Sequence, residues 1–206
     1  RWPAHRLPPR ASAVAAASRP GTVPPPPLHP HRMTRPRPDA PALLACIGLG
    51  ANLGAAAATL DAACAALAVL PETAWVAVSG RWRSRPVEAS GPDYLSAVAC
   101  VRTRLTPEAL LDALQAIELA HGRERPYPNA PRTLDLDLLL HGDLQRHTVR
   151  LTLPHPRLTE RAFVLLPLLQ LCAALPGQLV LPAGVNASNW PTRAQRLAAE
   201  PGIAPA

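Results

Sequence analysis

The chain has 206 residues, enough for one domain with a true core and too few for two ordinary ones. Its formal charge of +7 points to an acidic partner only until it is mapped: residues 1–40 carry seven Arg against Asp39 alone, whereas residues 41–206 carry 14 Arg against 13 acids. The part able to fold is therefore near neutral, which argues against a basic nucleic-acid face, and the absence of Lys excludes a P-loop, whose lysine binds the phosphates.

Residues 1–40 contain 11 Pro, much Ala and Arg, and no apolar periodicity, so a disordered extension is expected there. The only methionine is Met33, close to the first structured-looking segment, and a functional start at Met33 is the expectation. Cys46, Cys64, Cys100 and Cys172 are widely spaced in apolar surroundings, which suggests reduced thiols in a cytoplasmic protein. No apolar run reaches membrane-spanning length.

From residue 41 the pattern becomes that of one domain, expected over 41–176, with 177–206 as a tail packed on it or trailing from it. A strand is predicted near Leu43–Leu49, a helix from Ala55 to Leu70 closed by Pro71, and a second strand near Thr73–Arg81. The stretch 82–92, rich in Arg, Pro and Gly, reads as a loop. Residues 94–105 alternate, with Leu95, Ala97, Ala99 and Val101 on one face and Tyr94, Ser96, Arg102 and Arg104 on the other. Thr106, Pro107 and Glu108 open a helix that Gly122 ends, and a second loop fills 123–131. This order predicts an α+β fold, a ferredoxin-like split βαβ sandwich with helices on one side of an antiparallel sheet and the other side open for ligands.

The segment Arg132–Leu140, RTLDLDLLL, carries the chemistry. Residues two apart on a strand face the same way, so Asp135 and Asp137 leave one face about 6–7 Å apart. A bare D-x-D is more often a solvated strand face than a metal site. Here Arg123, Arg125, Arg132, Arg150, Arg157 and Arg161 bracket it, and carboxylates among guanidinium forks suit a polyphosphate with its magnesium. His155, between two prolines in LPHPRL, gains interest only from these neighbours.

Five segments in order, IGLGANLG, GPDYLSAV, LLDALQAIELAHGRER, PRTLDLDLLL and LPHPRLTERAFVLLPL, resemble the 6-hydroxymethyl-7,8-dihydropterin pyrophosphokinases of folate biosynthesis. The resemblance spans about Ile47 to Pro176. It implies transfer of the β,γ-pyrophosphoryl unit of ATP to the pterin's hydroxymethyl oxygen, with AMP leaving. It further implies that Asp135 and Asp137 hold two Mg²⁺ ions and that Arg123 and Arg132 take part in catalysis. Gln115, Glu118, Arg125, Arg132, Leu138, Arg150, Thr152, His155 and Arg161 are then expected around ATP, and Arg85, Pro86, Tyr94, Ser96 and Phe163 around the pterin. The loops at 82–92 and 123–131 would correspond to lids, and a monomer acting on small molecules is expected, with no nucleic-acid or membrane partner. Three positions depart from the family: Ser96 replaces a usual Asn and has a shorter reach, Ala51 replaces a common Ser, and no Trp lies near Asn129, although Tyr127 is close.

Two other readings arise from the residues. Gly48, Gly50 and Gly54 follow a strand and open a helix, which raises a dinucleotide-binding turn, though the spacing is off by one. A split βαβ sheet could also be a non-enzymatic RNA-binding module, although its exposed strands lack an aromatic cluster.

Overall fold

A computed structural model describes residues 41–86, 91–123, 132–199 and 202–206. The expectations for residues 1–40, for Arg125, Tyr127 and Asn129, and for most of the 123–131 loop lie outside these. The described elements are β1 (Leu43–Ala51), α1 (Ala56–Ala68), β2 (Thr73–Val78), β3 (Trp82–Ser84), β4 (Tyr94–Thr103), α2 (Pro107–Ala120), β5 (Asp135–His141), β6 (Arg146–His147), β7 (Thr152–Leu153), α3 (Ala162–Ala174), α4 (Trp190–Ala198) and β8 (Ile203–Pro205). The architecture is α+β: an antiparallel sheet in the order β5-β1-β4-β3-β8, with β2 also paired to β4, and helices packed against it.

Period-2 alternation divides the sheet into two faces. On one, Ile47 and Leu49 of β1, Ala99 and Val101 of β4, and Leu134, Leu136 and Leu138 meet Leu60 and Leu67 of α1 and Leu110 and Leu114 of α2. Helix α2 begins as its sequence dictates: Thr106 Oγ1 accepts the Ala109 N–H at 3.2 Å, Pro107 occupies the first turn, and Gly122 leaves the helix at φ +71°.

The opposite face, expected to stay open, is half covered. Leu44 and Cys46 of β1, Val98 and Cys100 of β4, and Leu139 and Leu140 of β5 pack beneath Val164, Leu165, Leu168 and Leu171 of α3 and Trp190 of α4. Cys46 and Cys100 stand directly across from each other with their sulfurs 3.1 Å apart, and all four cysteines are free thiols. The contact with Cys100, reinforced by burial, pushes the Cys46 thiol well up. Among the described residues, the other half of this face is the part left uncovered by α3 and α4.

The stretch read as a loop also contains β3, which adds to the sheet and pairs on its far side with β8 from the C-terminal segment. Among the described residues, no helix is long and apolar enough to cross a membrane.

Candidate active site

The uncovered half-face is the floor of a cleft of about 780 Å³. Its floor follows from strand register: Asp135 lies opposite Gly50 and Asp137 opposite Gly48, while Gly50 lies opposite Ser96 on the far side of β1. Because β1 carries glycine at both of these positions, no β1 side chain rises there between the two aspartates of β5 and Tyr94 and Ser96 of β4. Gly48 and Gly50 are thus strand residues in an antiparallel sheet, which removes the dinucleotide reading, since that motif needs a glycine turn within a parallel βαβ unit.

Arginines surround the acids. Arg123 bonds one oxygen of Asp135 at 2.7 Å, and Arg132 bonds the other at 2.8 Å. Arg161 lies 3.9 Å from Asp137, whose side chain keeps 39% of its surface exposed. The loss of water within the cleft, then the charge of Asp135, raises the Asp137 pKa, against the pull of His155, Arg161 and Arg123. Burial lowers the pKa of His155 and of Arg161. Burial acts downward on Arg132 too, but Asp135, Tyr94 and Asp137 outweigh it and the net shift is upward.

The two aromatic rings expected around the pterin both line this cleft, and each carries a cation: Arg132 lies 5.7 Å from the Tyr94 ring centre and Arg161 5.6 Å from that of Phe163. Arg85, Pro86, Ser96 and His155 line the same space. His155 is held there because its N–H bonds the Leu139 carbonyl at 2.9 Å and its Nδ1 accepts the Arg157 N–H at 3.2 Å.

Several expected nucleotide residues are not in the cleft. Leu138 is 3% exposed and packs into the α1–α2 core on the reverse face, because it alternates with Asp137. Arg150 is ion-paired with Asp112 on the surface, Gln115 is exposed on α2, and Thr152 is in β7 opposite His147. Helix α2 and strand β7 both neighbour β5, the terminal strand of the sheet. Glu118, expected as a nucleotide contact, is 3% exposed and sits beneath the floor. It accepts the Leu136 N–H at 2.6 Å and is ion-paired with Arg123.

Sequence reasoning overlooked Asn52. It is 4% exposed and ties together segments far apart in the chain: its Nδ2 donates to the Pro92 carbonyl at 3.1 Å and its Oδ1 accepts the Arg132 N–H at 2.8 Å. A polar residue directly after a strand whose last residues are otherwise Gly and Ala was the available signal.

Among the described residues no group of three or more His, Cys, Asp and Glu is arranged to hold a metal alone. What the floor offers is a pair of carboxylates, Asp135 and Asp137, beside arginines.

The model of the 7,8-dihydro-6-hydroxymethylpterin-pyrophosphokinase (HPPK) family matches residues 46–173. The chain belongs to the HPPK family. Its HPPK relatives include the 2-amino-4-hydroxy-6-hydroxymethyldihydropteridine pyrophosphokinases of Pseudomonas aeruginosa, 46% identical over 67% of this chain and 83% of theirs, and of Haemophilus influenzae, 41% identical over 68% and 86%. The crystal structure of wild-type Plasmodium falciparum HPPK-DHPS shares the HPPK fold at a TM-score of 0.54 and 12% identity. That match covers 75% of this chain and 44% of the larger one.

Proposed function

We propose that this HPPK-family chain transfers pyrophosphate from ATP to 6-hydroxymethyl-7,8-dihydropterin in folate biosynthesis, releasing AMP and the pterin diphosphate. The observation that supports it best is the joint presence, in one cleft, of paired aspartates ringed by arginines and of two aromatic rings suited to a flat heterocycle. RNA recognition finds no support in the family match.

Asp135 and Asp137 would hold magnesium, two ions in our reading. The residues fit: the carboxylates share a floor, and Asp137, whose pKa is raised first by lost solvation and then by the charge of Asp135, is a carboxylate whose ionised form a divalent cation would favour. Magnesium bound there supplies positive charge to the triphosphate oxygens.

The remaining work belongs to the side chains. Arg123, Arg132 and Arg161 reach the floor from three directions and can take phosphate oxygens as guanidinium forks, placing charge where it develops in the transition state. His155 lines the same cleft, its pKa lowered by burial against the opposing pull of Asp137. Tyr94 and Phe163 bracket the pterin ring, Arg85 and Pro86 bound it, and the Ser96 hydroxyl offers one short polar contact. Holding the hydroxymethyl oxygen in line with the β-phosphorus is itself a large part of catalysis. We place the adenosine beside β5, near Gln115, Thr152, Arg150 and the Leu138 backbone, with the protein acting as a cytoplasmic monomer.

The test is to incubate the chain with ATP, Mg²⁺ and the hydroxymethyl dihydropterin and to identify the nucleotide released. AMP is expected. ADP, or no turnover by folded protein, rejects the reaction, and unaltered turnover in excess chelator rejects the metal.

A further inference from the structure

The cleft has a wall built by a segment beyond the family match, which stops at residue 173. After α3 the chain turns through α4, anchored by Trp190 at 2% exposure in the core beneath α3, and returns to the sheet as β8. There Ile203 lies opposite Ser84, and Ser84 lies opposite Tyr94. Alternation puts all three on the cleft face, so a continuous row runs from the proposed pterin ring contact to the C-terminal strand. Leu197 of α4 lines the cleft as well.

Gly202 makes this closure possible. The Arg85 N–H donates to the Gly202 carbonyl at 2.9 Å. A Cβ at position 202 would lie 3.1 Å from Arg85 Cδ and 3.2 Å from Cγ, and the residue has φ +107°, a conformation that side-chain-bearing residues rarely adopt. Glycine thus lets the strand lie directly against the Arg85 stem. At the far end the Ala206 N–H bonds the Arg81 carbonyl at 3.0 Å, so β8 is held along all of β3.

We propose that Gly202 and Ile203 form the outer wall of the pterin-binding part of the cleft, with Ile203 as an apolar contact to the heterocycle and Gly202 as the seat of Arg85. This rests on the pterin reading above and extends it to a segment with no assigned role. An apolar wall beside a cationic side chain favours a flat ring with a polar edge and excludes water from its apolar side. The C-terminal strand then contributes to which ring substituents the site accepts.

The test measures binding and turnover in the full chain, because the two readings separate there. Pterin affinity is read by fluorescence titration with a non-hydrolysable ATP analogue and Mg²⁺ present, and AMP formation is read separately. Ile203→Ala should weaken pterin binding about tenfold, with the KM for ATP and the thermal midpoint little changed, whereas Ile203→Val should stay near wild type. Unaltered pterin affinity in Ile203→Ala, or an equal loss for ATP and pterin, overturns the wall. If the wild-type chain binds pterin without forming AMP, the reaction fails while the wall is still judged by affinity. If it binds no pterin, both fail.

Discussion

Asn52 and Arg132, 80 residues apart, are joined twice: the Asn52 side chain accepts the Arg132 N–H at 2.8 Å, and the Asn52 N–H donates to the Arg132 carbonyl at 3.2 Å. The guanidinium of the same arginine reaches Asp135 at 2.8 Å. A residue at the end of β1 therefore sets where a proposed catalytic cation begins its reach. Asn52→Ala should cost about 1–3 kcal/mol, because it strands a partly buried N–H, and should lower kcat on the order of tenfold. Asn52→Asp keeps the acceptor but turns an oxygen toward the Pro92 carbonyl, and should fall between. Unfolding curves and steady-state kinetics read both.

Asp137→Asn should abolish turnover yet leave stability unchanged or slightly raised. Its carboxyl pKa is raised in the fold, first by lost solvation and then by Asp135. A raised carboxyl pKa means that the native state binds the proton more tightly than the unfolded chain. Its favourable contribution is present below the unfolded value of about 3.9 and is lost as pH rises through the folded value, so none remains at neutrality. An amide removes that penalty. Metal-free melting curves together with AMP assays check it, and a large fall in melting temperature would show the carboxylate to be structural.

Glu118→Gln separates support from chemistry. The amide can still accept the Leu136 N–H, but it no longer balances Arg123, whose side chain is 10% exposed. A loss of about 2–4 kcal/mol is expected from the broken buried pair. Arg123 should also wander from Asp135, so kcat should fall in the variant even at temperatures where it is fully folded. Normal kcat in that folded variant would refute the linkage.

Apart from β3, the helices and strands between residues 43 and 120 were legible because their apolar periods are clear and Thr106, Pro107, Gly122 and Pro71 punctuate them. The aspartate pair was legible for the same reason, since alternation alone orients it. Strand β3 was not, because its three residues, Trp82, Arg83 and Ser84, sit between Arg81 and Arg85 with Gly80 and Pro86 beyond, and gain their strand character only from β4 and β8. The cover on the second face was missed because α3 is apolar all round and contains Pro167, leaving no amphipathic stripe to mark it as a helix. Glu118 was expected as a nucleotide contact, and only the arrival of Arg123 and Leu136 explains its burial.

The protein should lose stability on mild acidification. His141 is 2% exposed, with Nε2 at 3.0 Å from the Leu105 carbonyl, and burial lowers its pKa, with Arg146 adding to this and Glu108 opposing it. A lowered folded-state pKa means that the unfolded chain takes the proton first. Stability is full above the unfolded value of about 6.5 and is lost as pH falls from there toward the folded value. His155, lowered by burial likewise, adds in the same direction. Urea midpoints between pH 7.5 and pH 5.5 should fall for wild type and less steeply for His141→Gln. Parallel slopes would exclude His141 as a source.

Cys46 and Gly48 are neighbours on the same side of β1, yet one is sealed among α3 residues and the other is open to substrate. Only Ile47 separates the packed residue from the reactive one, and the register of β1 against β5 shifts just there, between Cys46 and Ile47, so the two regions share one strand across a local irregularity. An enlarged side chain at Val98 or Cys100 would tilt the platform on which the aspartates stand. Alterations meant only for thermal hardiness in that layer would therefore retune turnover, and directed evolution of this enzyme would find its rate determinants under α3 as readily as among the arginines.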